Sequence, residues 1–206
     1  TGMYTGYKGS GFQHFFNVQQ LEKGNSVLEY AHISDPNARL RVHIDNLPGQ
    51  TVFRADAYDL PRAKKHILKY LIVRRESGKD KALQSTFVSV LEPFSGQPYI
   101  QSTRRLRLQK GSGQVVEVTR ENALDVVIND VLNTVKQLPE YGVETDANSV
   151  ALTFDKQKRL VRVFYSNGTY LKWKDRVFRN PGVTGTVTEV DVKKSEVKVR
   201  LEKAGM

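Results

Sequence analysis

Apolar residues fall along this chain in short runs whose commonest period is two. Leu40, Val42 and Ile44 alternate with Arg41 and His43, and Val150, Leu152 and Phe154 alternate with Ala151 and Thr153. That is the period of a strand with one face buried. Residues 67–73 and 87–91 are richer still in β-branched, aromatic and aliphatic side chains, and they flank a charged segment, 74–81, around Gly78. The pattern predicts a hairpin here, at the centre of the core, with Pro93 closing its second strand because proline offers no ladder donor. Earlier in the chain, residues 26–32 and 39–44 read as strands joined by the turn Asp35-Pro36-Asn37. Residues 51–57 follow the turn Asn46-Leu47-Pro48-Gly49. Residues 98–108 precede Gly111-Ser112-Gly113, and a strand through Val115, Val116 and Val118 follows it. Further on, residues 160–165 and 169–173 flank Asn167-Gly168, a pair that tolerates positive φ and predicts a second hairpin. Beyond the turn Asn180-Pro181-Gly182, Val190 and Val192 are expected to pair with Val197, Val199 and Leu201, with Lys198 and Arg200 facing water.

Residues 123–138 carry two patterns at once. Leu124, Val127, Val131, Val135 and Leu138 recur at helical spacing, while Val126-Val127-Ile128 is a β-branched triplet and Asn129, Asp130 and Asn133 weaken a helix interior. Elsewhere, many short strands with frequent turns predict an all-β fold, an antiparallel β-sandwich with few or no helices. The 206 residues read as one sandwich region, 1–206, with a possible sub-boundary near residue 145.

Charge changes the picture by naming a class of partner. Lys and Arg number 32 against 22 Asp and Glu, a net charge of +10, which favours acidic polysaccharide, nucleic acid or an acidic membrane surface. There is no cysteine, so disulfides and thiolate chemistry are excluded, and no apolar run approaches the ~18 residues of a membrane span. The opening Thr1-Gly2-Met3 does not begin a charged and then apolar leader, and the chain reads as a piece of something longer.

The chemical inventory is thin. Gly2, Gly6, Gly9 and Gly11 form a glycine-rich opening, but a phosphate cradle needs a preceding strand and a following helix that the pattern does not supply. His14, His32, His43 and His66 stand at no short ligand spacing, so no metal site is expected; His43 falls on the polar face of its strand and is expected to be solvated. Asp56 and Asp59 are paired carboxylates by sequence only, and Ser85 lacks a nucleophile's setting. No catalytic residue and no cofactor is predicted. The arginine pairs Arg74-Arg75 and Arg104-Arg105 are the candidate binding residues, because guanidinium matches carboxylate and sulfate in two-pronged geometry. Neighbours on a strand point to opposite faces, so one member of each pair faces a given ligand.

Four segments carry a resemblance: GYKGSGFQHFFNVQ (6–19), FRADAYDLP (53–61), YLIVRR (70–75) and LQSTFVSVLEP (83–93). In this order they resemble the C-terminal β-sandwich region of heparinase II/III-like polysaccharide lyases, over about the first half of the chain. The last of them is the most specific, and the second half of the chain is similar only in general character. The resemblance implies that residues 123–132 form a strand, which overrules the helical spacing. It implies a periplasmic or secreted lyase that cleaves uronic-acid polysaccharide (heparin, heparan sulfate or another uronate polymer) by β-elimination. In that family an α/α toroid supplies the tyrosine and histidine acid/base groups, and the sandwich walls the cleft. The histidine or zinc sites that some members carry in the sandwich match nothing in this chain. The chain alone is therefore expected to be inactive, its partners being the N-terminal catalytic domain and the polysaccharide.

Two other readings stand beside it. A stand-alone carbohydrate-binding module would expose Trp173, Tyr170 or Tyr165 as a stacking platform. A nucleic-acid-binding β domain would interleave its charge with aromatics, a pattern this chain lacks.

Overall fold

The computed structural model describes residues 12–21, 26–45, 47–58, 67–78, 82–132, 134–179, 185–191, 193–194 and 196–201. The glycine-rich opening, Asn46, Asp59, His66, Asn133, Asn180-Pro181-Gly182 and Val192 lie outside them. The chain forms two compact units, residues 1–103 and 104–206. Antiparallel strands dominate both, giving an all-β, sandwich-like fold; two short 3-10 turns, Phe12–His14 and Pro139–Tyr141, are the helical elements among the described residues. No helix among them is long and apolar enough to cross a membrane.

The first unit contains strands β1 (Phe16–Gln20), β2 (Ser26–Ala31), β3 (Ala38–Ile44), β4 (Gln50–Tyr58), β5 (Ile67–Arg75) and β6 (Ser89–Ser95). They form two three-stranded sheets, ordered β1-β4-β5 and β2-β3-β6. The alternation of β3 turns Val42 and Ile44 toward Val52 of β4, and these three buried residues, with Leu28, Leu40, Leu71 and Val73 around them, make the unit's core. The turn at residues 35–37 is as expected. The Asn37 amide donates to Asp35 Oδ1 at 3.0 Å, and β2 and β3 pair along their length. Gly49, at φ 75°, makes the left-handed turn into β4.

The central hairpin expected around Gly78 does not form. β5 pairs with β4, from Gln50 opposite Arg75 to Tyr58 opposite Ile67, while β6 pairs with β3, from Ala38 opposite Ser95 to Ile44 opposite Ser89. One hairpin would have set both apolar runs in the same layer. Placing them in separate sheets lets each contribute a face to be covered. Nor does Pro93 end its strand. It lies inside β6 opposite Leu40, and β6 is the outer strand of its sheet, where a residue lacking N–H is tolerated.

β7 (Ile100–Leu106) carries the chain into the second unit, followed by β8 (Gln114–Arg120), β9 (Ala123–Asn129), β10 (Lys136–Leu138), β11 (Val143–Thr145), β12 (Ser149–Asp155), β13 (Leu160–Ser166), β14 (Tyr170–Trp173), β15 (Arg176–Arg179), β16 (Gly185–Asp191) and β17 (Glu196–Leu201). A five-stranded sheet, β13-β12-β9-β8-β7, and a four-stranded one, β10-β11-β14-β15, contribute to one core that includes Val115, Val126, Ile128, Val150, Leu152 and Leu171. β16 and β17 pair as a hairpin, Val190 opposite Val197 and Val187 opposite Val199.

The segment expected to be a strand over residues 123–132 is one over Ala123–Asn129 and leaves the strand at Asp130. β9 lies between β8 and β12, and its β-branched triplet alternates. Val126 and Ile128 are buried in the core, and Val127 points outward, 40% exposed. The Asn167-Gly168 hairpin, by contrast, is absent: β13 pairs with β12, and β14 pairs with β11 and β15 in the other sheet. A type I′ turn needs positive φ at both positions. Asn167 has it, at 52°, and Gly168 does not. Glycine is required at 168 for clearance, since a Cβ there would sit 2.3 Å from Ala147 Cα.

Candidate functional site

The facing surfaces of the first unit change character along their length. On β4 the side chains of Val52, Arg54 and Asp56 follow one another on one face, and the opposite residues of β5 are Val73, Leu71 and Lys69. The apolar end, Val52 and Val73, belongs to the core. At the charged end the core stops and a groove of about 580 Å³ opens, lined by β1, β2, β4 and β5. That volume lies within the range of about 300–1,000 Å³ typical of small-ligand sites.

Most charges in the groove are already matched. Lys69 Nζ lies 2.8 Å from Asp56 Oδ1, and Asn17 Nδ2 donates to Asp56 Oδ2 at 3.1 Å. The hydrogen bonds from Lys69 and then Asn17 hold the Asp56 carboxyl below its ordinary value. On β2 at the groove's edge, Leu28 and Tyr30 face the core and Glu29 turns to the other face, where it accepts from Arg41 and Arg39, each at 2.8 Å, bonds that hold its carboxyl down as well. Arg54 differs from them. Its hydrogen bond goes to a neutral group, Nε–H donating to Gln19 Oε1 at 2.7 Å, while its charge acts on Asp56 through space and adds to that of Lys69 in holding the carboxyl down. Tyr30 packs on the core where it borders the groove, and the Tyr70 ring, on the other face of its sheet, lies against Phe15 with centroids 4.9 Å apart. Burial pushes the Tyr30 phenol up, so it remains a hydrogen-bond donor at neutral pH.

The four candidate arginines stand on two strands in different units. Arg74 and Arg75 end β5; Arg74 is exposed and ion-paired with Glu76, whereas Arg75 is half-buried with its Nε buried and unpartnered. Arg104 and Arg105 lie on β7, the first exposed and the second half-buried. In both pairs the neighbours differ in exposure, as strand alternation requires. Arg104 is committed to two carboxylates, Glu117 Oε2 and Glu140 Oε1, both at 2.6 Å, and they raise its pKa. Tyr141 donates its hydroxyl to the same Glu117. Arg104 is therefore part of an internal network, with its charge already answered.

Three other expectations meet the geometry here. His43 is not solvated: it is 5% exposed, and its Nε2 lies 2.8 Å from Glu92 Oε2. The alternation placed it on the polar face correctly, but that face is covered. Glu92 itself is fully buried and also accepts from the backbone amides of Tyr99 and Ile100. Burial pushes its carboxyl up, but the Ile100 amide, His43 and the Tyr99 amide outweigh that and hold it below the ordinary value. An ionised carboxylate only accepts, so Nε2 carries the shared proton. Second, the aromatics named for a stacking platform are not an exposed row. Tyr165 and Trp173 pack against the core, and the half-buried Tyr170 donates its hydroxyl to Glu144 at 3.1 Å. Third, no group of three or more His, Asp or Glu among the described residues could hold a metal ion.

The sequence reading passed over Arg54, Tyr30 and Lys69. A signal for them was present in VFRADAY: Val52, Arg54 and Asp56 share one face, so a strand that enters the core apolar leaves it charged. Compared as a sequence, the chain matches no protein-family model and no curated protein.

Proposed function

We propose that this chain is the β-sandwich part of a heparinase II/III-like polysaccharide lyase, a non-catalytic region that packs beside a catalytic toroid and contacts a uronic-acid polysaccharide. The observation that carries the reading is where the four resembling segments fall. Residues 6–19, 53–61 and 70–75 include parts of β1, β4 and β5, which make one sheet, and residues 83–93 enter β6 of the other. The segments thus supply strands to both sheets of one unit, and the three on the first sheet help line its groove. The net charge of +10 suits an acidic polymer. Elimination needs a group to neutralise the uronate carboxylate, a base for the C5 proton and an acid for the leaving oxygen. The groove offers the cations Arg54 and Lys69 for the first, and its carboxylate Asp56 is held ionised by its partners. The acid and base belong to another part of the enzyme. A periplasmic or secreted location goes with this reading.

The purified chain tests it against heparin, heparan sulfate and alginate. The expected result is salt-sensitive binding without the ultraviolet absorbance of unsaturated uronate. Absorbance that grows with the concentration of the chain would overturn the non-catalytic role. The groove equally favours a second reading, a stand-alone carbohydrate-binding module. A reading frame with a helical region of several hundred residues upstream selects the lyase, and a frame without one selects the module.

A further inference from the structure

We infer that the open edge of β5 is a self-association surface, where two copies of the chain pair their β5 strands antiparallel about a two-fold axis through Leu71. This concerns how the chain assembles and does not depend on the polysaccharide reading.

β5 is nine residues long, the longest outer strand among the described residues, and it pairs with β4 in unbroken register from Ile67 to Arg75. Its other edge makes no backbone hydrogen bond to any described residue. Along such an edge every second residue points its N–H and C=O sideways, and a bare row of these groups is a template for another strand. Several other outer strands are blunted. β1 is five residues long and bulged, with Asn17 at φ 52°. β6 carries Pro93, β13 pairs irregularly with β12, and β10 and β15 have three and four residues. β5 has neither proline nor bulge, and two of its cations are turned aside. Lys69 reaches back to Asp56 on β4 at 2.8 Å, and Arg74 is held by Glu76. Ile67, Leu68 and Tyr70 remain exposed along the strand.

The residues of β5 favour a second copy of the chain as the partner. A two-fold axis normal to the sheet pairs residues that share a face, and centred on Leu71 it matches the whole strand. Ile67 then stands opposite Arg75 of the second copy, Leu68 opposite Arg74, Lys69 opposite Val73 and Tyr70 opposite Ile72. The strand holds three cations and no carboxylate, yet in this register no two cations meet, and aromatic and β-branched side chains pair beside the centre. A slip of two residues one way sets Lys69 opposite Arg75 and leaves Ile67 and Leu68 unpaired; the other way leaves Arg74 and Arg75 unpaired. A slip of one residue sets opposite faces against each other. An acidic strand from a different protein gains little here, because Lys69 and Arg74 already have their counter-charges. In the pair, the sheet β1-β4-β5 runs on without a break through the second copy.

Sedimentation velocity of the whole chain across its soluble concentration range tests this. The expected result for wild type is a reversible monomer–dimer equilibrium. Leu68 is exposed and meets Arg74 of the other copy twice in each dimer. Leu68→Glu should therefore tighten the dimer and Leu68→Lys weaken it, each about two- to thirtyfold. The chain has no cysteine, so Leu71→Cys, at the axis, should give a disulfide-linked dimer on mild oxidation, whereas Ile67→Cys, far from its own copy, should not. Far-ultraviolet circular dichroism and the denaturation midpoint confirm that each variant is folded. A chain that stays monomeric throughout would overturn the assignment, whether or not it captures a glutamate-rich peptide through Arg74. So would a dimer that responds alike to both charges at residue 68, or one that cross-links through Ile67→Cys as readily as through Leu71→Cys.

Discussion

Both units bury charged groups among their strands, His43 with Glu92 in the first and Lys136 with Asp130 in the second, and they differ in what surrounds those groups. In the second unit Lys136 is fully buried, and its ammonium lies 3.1 Å from Asp130 Oδ2, which is itself nearly inaccessible. Asp130 also accepts from Ser112 Oγ at 2.9 Å, from Thr134 Oγ1 at 3.1 Å and from the Leu132 amide at 3.0 Å. Every one of these charges is answered by a neighbour, and the core above them closes over eleven buried apolar residues. Among the described residues the main cluster of the first unit holds three, and beyond Val52 its facing surfaces hold charge beside an open groove. A closed network stabilises and orders, while a charge left facing a groove is available to a ligand.

The sharpest way to break this contrast is to orphan the buried lysine. Asp130→Ala leaves the Lys136 ammonium without its counter-charge, and the expected cost is about 3–5 kcal/mol. The single tryptophan, Trp173, packs on the core of the second unit, so the fluorescence transition in denaturant reads that unit. A shift below about 1 kcal/mol would mean that the pair is incidental and that the second unit is no more closed than the first.

Acid gives a smaller effect at the same residue. Burial raises the Asp130 carboxyl, but the Leu132 amide, Lys136, Ser112 and Thr134 outweigh it and hold it at about 2, against an ordinary 3.8. The unfolded chain therefore takes up this proton first as the pH falls. The stability it contributes is complete above about pH 4 and is lost as pH drops toward 2, at most about 2 kcal/mol in all. Denaturation of wild type and of Asp130→Asn, compared near pH ~5 and ~2.5, isolates this contribution. It is confirmed if the variant loses less stability over that interval, and rejected if the two curves fall in parallel.

Arg54 gives the smallest change, and it sharpens the comparison from the other side. The residue is exposed and makes one side-chain hydrogen bond, so Arg54→Gln should alter stability by no more than about 0.5 kcal/mol. Near-ultraviolet circular dichroism, which follows the tyrosines, reports the transition. A loss above about 1 kcal/mol would make Arg54 a structural member of the groove.

Strands were legible in the sequence, and their partners were not. The alternation in residues 149–155 gives β12 with both ends in place, and Asp35-Pro36-Asn37 gives the turn between β2 and β3, because each signal is local. The assignment of β5 to β4 and of β6 to β3 depends on which faces cover one another, which no window of ten residues contains. Asn167-Gly168 failed for the same reason, since Ala147, far back along the chain, decides what the glycine is for. At the site, alternation separated Arg74 from Arg75 and Arg104 from Arg105, but the commitment of Arg104 to Glu117 and Glu140 is a long-range matter. Arg54 escaped notice because a lone arginine in a strand ordinarily faces water. Its meaning comes from β1 and β2, which bring Gln19 and Tyr30 to the same groove.

Glu92 has a consequence for how the chain breathes. Its carboxylate holds the amides of Tyr99 and Ile100, seven and eight residues ahead, and is itself backed by His43 from the neighbouring strand. Amide protons at the start of a strand ordinarily fray and exchange with solvent on their own. These two are released only when a buried, ionised side chain lets go, so their exchange with deuterium is tied to opening of β3 and β6 together.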